Sequence, residues 1–141
     1  IELEDLLTAT DGSALALGVF SILNHKKAFM RFNNSTRVAF NASEPVESHH
    51  IFPKKYITDT FTESSEHRVA VDSMLNQAYI NKIENIKYGK KAPSIYLNES
   101  PINENTELIE CLESHSIPNP QLLVDEDYNN DVKKFMEDRF D

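Results

Sequence analysis

Little in this chain of 141 residues marks it as membrane-bound, disulfide-stapled or disordered. Its single cysteine, Cys111, excludes an internal disulfide and any Cys-x-x-Cys zinc knuckle. No apolar run approaches the roughly 20 residues needed to span a bilayer. The most apolar stretch, "SALALGVFSIL", is too short, and it lacks the basic n-region and small-residue cleavage site of a signal peptide. A soluble, cytoplasmic protein with no membrane partner is therefore expected. Only three glycines, beside 40% hydrophobic residues, exclude a low-complexity or disordered chain. The length fits one domain with enough apolar content for a core. Because the chain begins at Ile1 inside a helical pattern, it is expected to be the C-terminal part of a longer protein.

Positive charge is also scarce overall, but its distribution is uneven. Residues 1–48 carry four Lys/Arg against six Asp/Glu, and residues 49–93 carry seven against five. Residues 94–141 carry three against twelve, so the net charge of −9 belongs almost wholly to the last third. An anionic partner would meet the middle segment more readily than either end.

The pattern along the chain is mixed helix and strand. Apolar positions at helical spacing (Leu15, Leu17, Val19, Phe20, Ile22, Leu23) follow an N-cap-like "DGS" and predict a helix over 13–29. "AFMRFNNSTRVAF" reads as two short extended runs around the turn "NNS". "VESHHIF" is the next strand, stopped by Pro53. "KKYITDTF" suggests a short helix, "TESSEH" a polar loop, and "DSMLNQAYI" a turn followed by a strand. "NKIENIKYGK" is helical, with Gly89 as its terminator. Pro93 opens a further helix at a favoured first position. "NTELIECLESH" is amphipathic, with Leu108, Ile109 and Leu112 on one face. A last helix at about 126–140 groups Val132, Phe135, Met136 and Phe140. There is no internal repeat.

The chemical content lies in 46–91. Adjacent residues of a strand point to opposite faces, so His49 and His50 have different surroundings. Strand, loop, strand and helix in that order put the pair at a strand end. They put Asn76 at the start of the second strand and Asn85 one turn into the helix. Such parts suit metal-assisted phosphodiester hydrolysis, in which a hard cation offsets phosphate charge and a near-neutral imidazole takes a proton from water. A third group then orients that imidazole. On spacing alone, the pair reads more readily as two incidental surface or half-buried histidines.

"VESHHIFPKKYI", "DSMLNQAYI" and "NKIENIKYGKKAPSIYL" together resemble the HNH nuclease domain of Gmr-type, modification-dependent restriction proteins. The tail "ESHSIPNPQLL" with "DYNNDVKKFMEDR" is similar to that family's closing turn and final helix. The resemblance covers roughly residues 46–140. It implies an α+β fold with a ββα-metal core at 46–91, embedded in a mostly helical single domain. Residues 1–45 would give helical and short-strand support, and 92–141 the C-terminal helices.

The implied activity is metal-dependent cutting or nicking of DNA by the effector domain of a bacterial anti-phage protein. Its missing N-terminal partner region would be a ParB-like nucleotide-hydrolysing domain. The resemblance gives His50 the role of general base and Asn76 that of orienting it. His49 and Asn85 would be ligands to Mg²⁺ or Mn²⁺, and Lys54, Lys55, Lys87, Lys90 and Lys91 DNA contacts. Glu47 either supports this shell or is a solvated strand residue. The pattern departs from the family in one respect: a His and an Asn leave the metal without a carboxylate, which predicts weak binding unless phosphate completes the site. Two alternatives remain open. One is a catalytically silent HNH-like module for DNA binding or assembly. The other is a structural zinc site, which lacks the usual four N or S ligands.

Overall fold

A computed structural model describes residues 1–10, 12–25, 32, 46–69, 71–81, 85–86, 88–128 and 131–140. Two helices come first, α1 (Leu3–Thr8) and α2 (Ala14–His25). Strand β1 (Val46–His50) follows, then α3 (Lys54–Thr60) and α4 (Glu66–Val69). A 3₁₀ turn at Met74–Asn76 leads into β2 (Gln77–Asn81), and residues 85, 86 and 88 are helical. The rest is α5 (Pro93–Tyr96), a 3₁₀ turn at Ile102–Glu104, α6 (Leu108–Ser114), α7 (Pro120–Val124) and α8 (Val132–Phe140). The architecture is α+β: short helices around one antiparallel strand pair. Among the described residues, no helix is long and apolar enough to cross a membrane.

Local chemistry explains most of the boundaries. Ser13 Oγ accepts the Ala16 amide at 3.1 Å and starts α2. Pro93 and Pro120 occupy first helical turns, where a missing N–H costs nothing. Gly89, at φ +60°, closes the helical residues before it in a conformation that disfavours a side chain.

Three expectations change in detail. The helix expected over 13–29 is described as far as His25, and the extended runs of 28–40 lie outside the described residues apart from buried Phe32. The polar stretch "TESSEH" is a loop only as far as Ser65, whose Oγ accepts the His67 amide at 3.3 Å, and α4 begins at Glu66. The last helix starts at Val132 instead of about 126. Glu126 adopts φ +75°, which breaks any helix there, and Asp131 Oδ1 caps the new start by accepting from Lys134 N at 3.0 Å.

In the antiparallel strand pair, Glu47 pairs with Ile80, Ser48 with Tyr79, His49 with Ala78 and His50 with Gln77. Directly opposed residues share a face, so Glu47, His49, Ala78 and Ile80 line one side. His49, Ala78 and Ile80 are buried there, within a cluster that runs from Leu6 to Met136. The C-terminal helix is tied to the start of β2 by buried Arg139. Its guanidinium donates to the main-chain carbonyls of Leu75 and Gln77 at 2.7 Å each, and to that of His115 at 2.8 Å. Burial holds this group down to about 10, yet it remains a cation at neutral pH. Ser73 Oγ donates to Leu6 O at 2.9 Å and Met74 N to Ala9 O at 2.7 Å, so α1 closes the same turn from the other side.

Candidate active site

The alternation of β1 sends its two histidines to different environments. His49 is 2% exposed. Its ring meets Tyr88, Tyr96 and Phe32 edge-on, with centroids 5.2, 5.5 and 6.2 Å away. Opposite it on β2 stands Ala78, whose small side chain leaves space for the imidazole. Nδ1 lies 2.7 Å from Asn85 Oδ1, and Nε2 lies 3.2 Å from the Tyr96 hydroxyl. That hydroxyl donates to the Ile51 carbonyl at 2.6 Å. Burial drives the imidazole down to about 3; the Asn85 contact opposes this, and nearby His50 and His115 add to it. Burial likewise raises the Tyr96 phenol well above its ordinary value. His49 is therefore neutral, with both ring nitrogens engaged.

His50 faces outward, with its side chain 31% exposed. Its Nε2 lies 3.1 Å from Asp72 Oδ1, and the other oxygen of that carboxylate is 3.9 Å from Lys54 Nζ. A carboxylate only accepts, so Nε2 carries a hydrogen, and in the neutral ring the lone pair is then on Nδ1. That is the arrangement a base needs: one nitrogen held, the other able to take a proton.

Asn76 does not orient His50, as the sequence led us to expect. It is fully buried in the 3₁₀ turn, and its side chain ties together the two ends of the segment that connects β1 and β2. Oδ1 accepts from Phe52 N at 2.9 Å, and Nδ2 donates to the carbonyls of Phe52 and Val71 at 3.0 Å each. Its own carbonyl accepts from Ile51 N at 2.7 Å. Asn76 thus fixes the backbone just after His50, and Asp72 touches the imidazole itself. The reason is positional. Asn76 ends an inward-facing turn, whereas Gln77, one residue later, is paired with His50.

Asn85 reaches His49, and its other amide atom, Nδ2, lies 3.0 Å from Glu47 Oε2. Glu47 and His49 lie two residues apart on one face of β1, so a carboxylate, an amide and an imidazole form one connected chain. A hard divalent cation would take oxygens from this set, but as placed the Asn85 amide oxygen faces His49 and its nitrogen faces Glu47, so the carboxylate and amide oxygens do not converge on one position. As placed, His49 directs no nitrogen toward an open position, which departs from its expected part as a ligand. Among the described residues, no group of three or more His, Cys, Asp or Glu side chains converges.

The lysines divide. Lys54 stands on the His50 side, beside Asp72. Lys55 is paired with Asp59 at 2.6 Å, and Lys91 with Glu99 at 2.7 Å. Lys90 is exposed, and Lys87 lies outside the described residues. Sequence reasoning missed Asp72 and Tyr96. Asp72 lies 22 residues from His50 and Tyr96 47 from His49, and nothing local in either stretch signals the contact. No family model, curated protein or solved structure matches this chain.

Proposed function

We propose that this chain is a metal-dependent DNA endonuclease of the HNH type, built on a ββα-metal core. One observation carries the reading: an antiparallel strand pair ends in two histidines, and the helical residues that follow return an asparagine to the first of them. In this reading His50 Nδ1 takes the proton from the attacking water while Asp72 holds Nε2–H. Asn76 keeps the turn after His50 in place. A divalent cation, Mg²⁺ or Mn²⁺, sits at the Asn85 end of the shell and, when bound, offsets charge on the scissile phosphate. DNA approaches past Lys54 and the lysines that follow Gly89. The biological setting that goes with this reading is bacterial anti-phage restriction in the cytoplasm, with a ParB-like nucleotide-hydrolysing region of the same protein governing access.

The closed surroundings of His49 favour a second reading, a silent HNH-like module that binds DNA or assembles without cutting it. Incubation with supercoiled plasmid separates the two. Nicked or linear product with Mg²⁺ or Mn²⁺, lost in EDTA, supports the nuclease. Retained DNA binding with no product under any of these metals supports the silent module.

A further inference from the structure

The turn that brings Asp72 to the His50 imidazole, residues 71–73, is anchored differently at each of its positions. The Val71 carbonyl accepts from buried Asn76, and the Ser73 hydroxyl donates to Leu6 O at 2.9 Å. Between them, the Asp72 carbonyl accepts from Gln77 Nε2 at 3.0 Å. Gln77 is 3% exposed and stands directly opposite His50 in the strand pair, so the two share the outer face. Its Oε1 accepts from the hydroxyl of Ser48, the next residue along that face of β1. The main-chain carbonyl of Gln77 is itself held by buried Arg139 at 2.7 Å.

The direction of the Gln77 amide is settled by its neighbours. A main-chain carbonyl only accepts, so the end that faces Asp72 is the nitrogen, and the oxygen is left for the Ser48 hydroxyl. Ser48, Gln77 and the Asp72 main chain form one hydrogen-bonded series that ends behind the carboxylate. The Asp72 side chain is 54% exposed, and water competes for its oxygens. Only two rotatable bonds separate that carboxylate from its main chain. A fixed main chain therefore keeps one oxygen 3.1 Å from His50 Nε2, and a loose one lets it swing into solvent. Asn76 and Gln77, adjacent in sequence, serve the same turn unequally. Loss of Asn76 leaves buried groups without partners. The Asp72 carbonyl belongs to an exposed residue, where water can replace the bond from Gln77 without fixing a position.

We propose that Gln77, backed by Ser48, is a positioning residue: it fixes the Asp72 main chain so that the carboxylate stays on His50. The inference rests on the nuclease reading for its effect on cleavage, but not for the brace itself.

The test reads geometry and rate separately, on the whole chain. In the wild type, the His50 ring and the Asp72 methylene should show a nuclear Overhauser contact. In Gln77→Met, which keeps the length and removes both hydrogen-bonding ends, that contact should be lost. Plasmid cleavage by the same variant should show kcat lowered about tenfold, at the low end of what a partner acting through another residue carries, with KM unchanged. Within Asp72→Asn, adding Gln77→Met should cost nothing further, because Gln77 acts only through that carboxylate. A merely structural role would lower kcat equally in both backgrounds, and that result overturns the inference. So does a contact that survives in Gln77→Met, or one missing from the wild type. Should Gln77→Met fold poorly, Ser48→Ala replaces it, since it frees the amide from its other end. A smaller loss of kcat is then expected that vanishes in the Asp72→Asn background. An equal loss in both backgrounds, or none in either, overturns the inference. Without any cleavage the nuclease reading falls and the contact alone decides: its loss in Gln77→Met upholds the brace, and its persistence removes it.

Discussion

On one face of β1, His49 lies against Ala78 beneath a wall of tyrosines, neutral and bonded at both nitrogens. On the other face, His50 stands half-exposed with one nitrogen on Asp72. The same side chain, one residue apart, is a fixed element of the core in the first case and a group that water can reach in the second. A two-residue strand period is enough to produce this division. It separates the jobs that a hydrolytic site needs done: holding the shell in shape and moving a proton. Losing His50 should therefore cost activity and spare the fold, while disturbing the inner face should cost the fold.

The largest expected effect is on the outer face. His50→Ala should slow plasmid cleavage by about 10²- to 10⁴-fold, the usual contribution of a general base. Stability should change little, since the side chain fills no core position. Asp72→Asn, which keeps the size but removes the carboxylate, should slow cleavage less than His50→Ala does. Cleavage at the wild-type rate by a folded His50→Ala protein would remove His50 from the mechanism and erase the contrast between the faces.

Next comes the turn behind the pair. Asn76→Ala strips partners from Phe52 N, Phe52 O and Val71 O, all inside the protein. An unsatisfied buried group costs about 1–3 kcal/mol, so a loss of several kcal/mol is expected in urea unfolding. Activity should fall with the folded fraction. A stable but inactive Asn76→Ala protein would return Asn76 to the role of orienting the base.

How much of this was legible in the sequence follows from range. The helix starts at Ser13 and Pro93 and the terminator Gly89 are local signals, and the structure places element ends there; Pro53, read as the stop of a strand, instead precedes α3, since β1 already ends at His50. The two strands were legible as elements too, whereas their pairing spans the helices between them and was implied only by the resemblance. What could not be read was which face of β1 is buried. That depends on Tyr88, Tyr96 and Phe32 arriving from distant segments, and on the small side chain of Ala78. Asp72 was invisible for the same reason. Asn76 illustrates a subtler limit, since the sequence places it beside the histidines but cannot say whether its amide serves a side chain or the main chain. The late start of α8 depends on backbone geometry at Glu126 that no residue type there announces.

A smaller effect distinguishes the faces by pH. The folded His49 holds off protonation from its ordinary 6.5 to about 3, while the unfolded one accepts a proton near 6.5. As pH falls, the unfolded chain binds the extra proton, so this contribution is complete above about 6.5 and is lost progressively down to about 3. One proton corresponds to about 1.4 kcal/mol per pH unit. Urea unfolding at pH 7, 6 and 5 should show that slope, and His49→Gln should flatten it by about one proton. The same slope in the variant would mean that another group takes up the proton.

The weakest expected effect concerns surface charge, where counting lysines overstates the attraction. Residues 49–93 carry a net +2, yet Lys55 and Lys91 already face Asp59 and Glu99, and Lys54 leans on Asp72. These pairs are exposed and individually weak, but each carboxylate offsets part of the field that DNA would sense. DNA binding should therefore show a shallow salt dependence. Each phosphate contact contributes about 0.9 to the slope of log affinity against log salt. Lys90→Ala should lower the slope by no more than that, and Lys55→Ala by less, since its charge is partly cancelled beforehand. Glu126→Gln, Asp127→Asn and Asp131→Asn together should strengthen binding slightly at low salt. Little should remain at 0.1 M, where the screening length is about 10 Å. Asparagine is the appropriate choice at position 131, because its side-chain oxygen can still cap α8. Equal binding by the Lys90→Ala protein and the wild type across the whole salt series would show that DNA does not approach past Gly89. It would leave the outer face of β1, with His50, Asp72 and Lys54, to be reached from another direction.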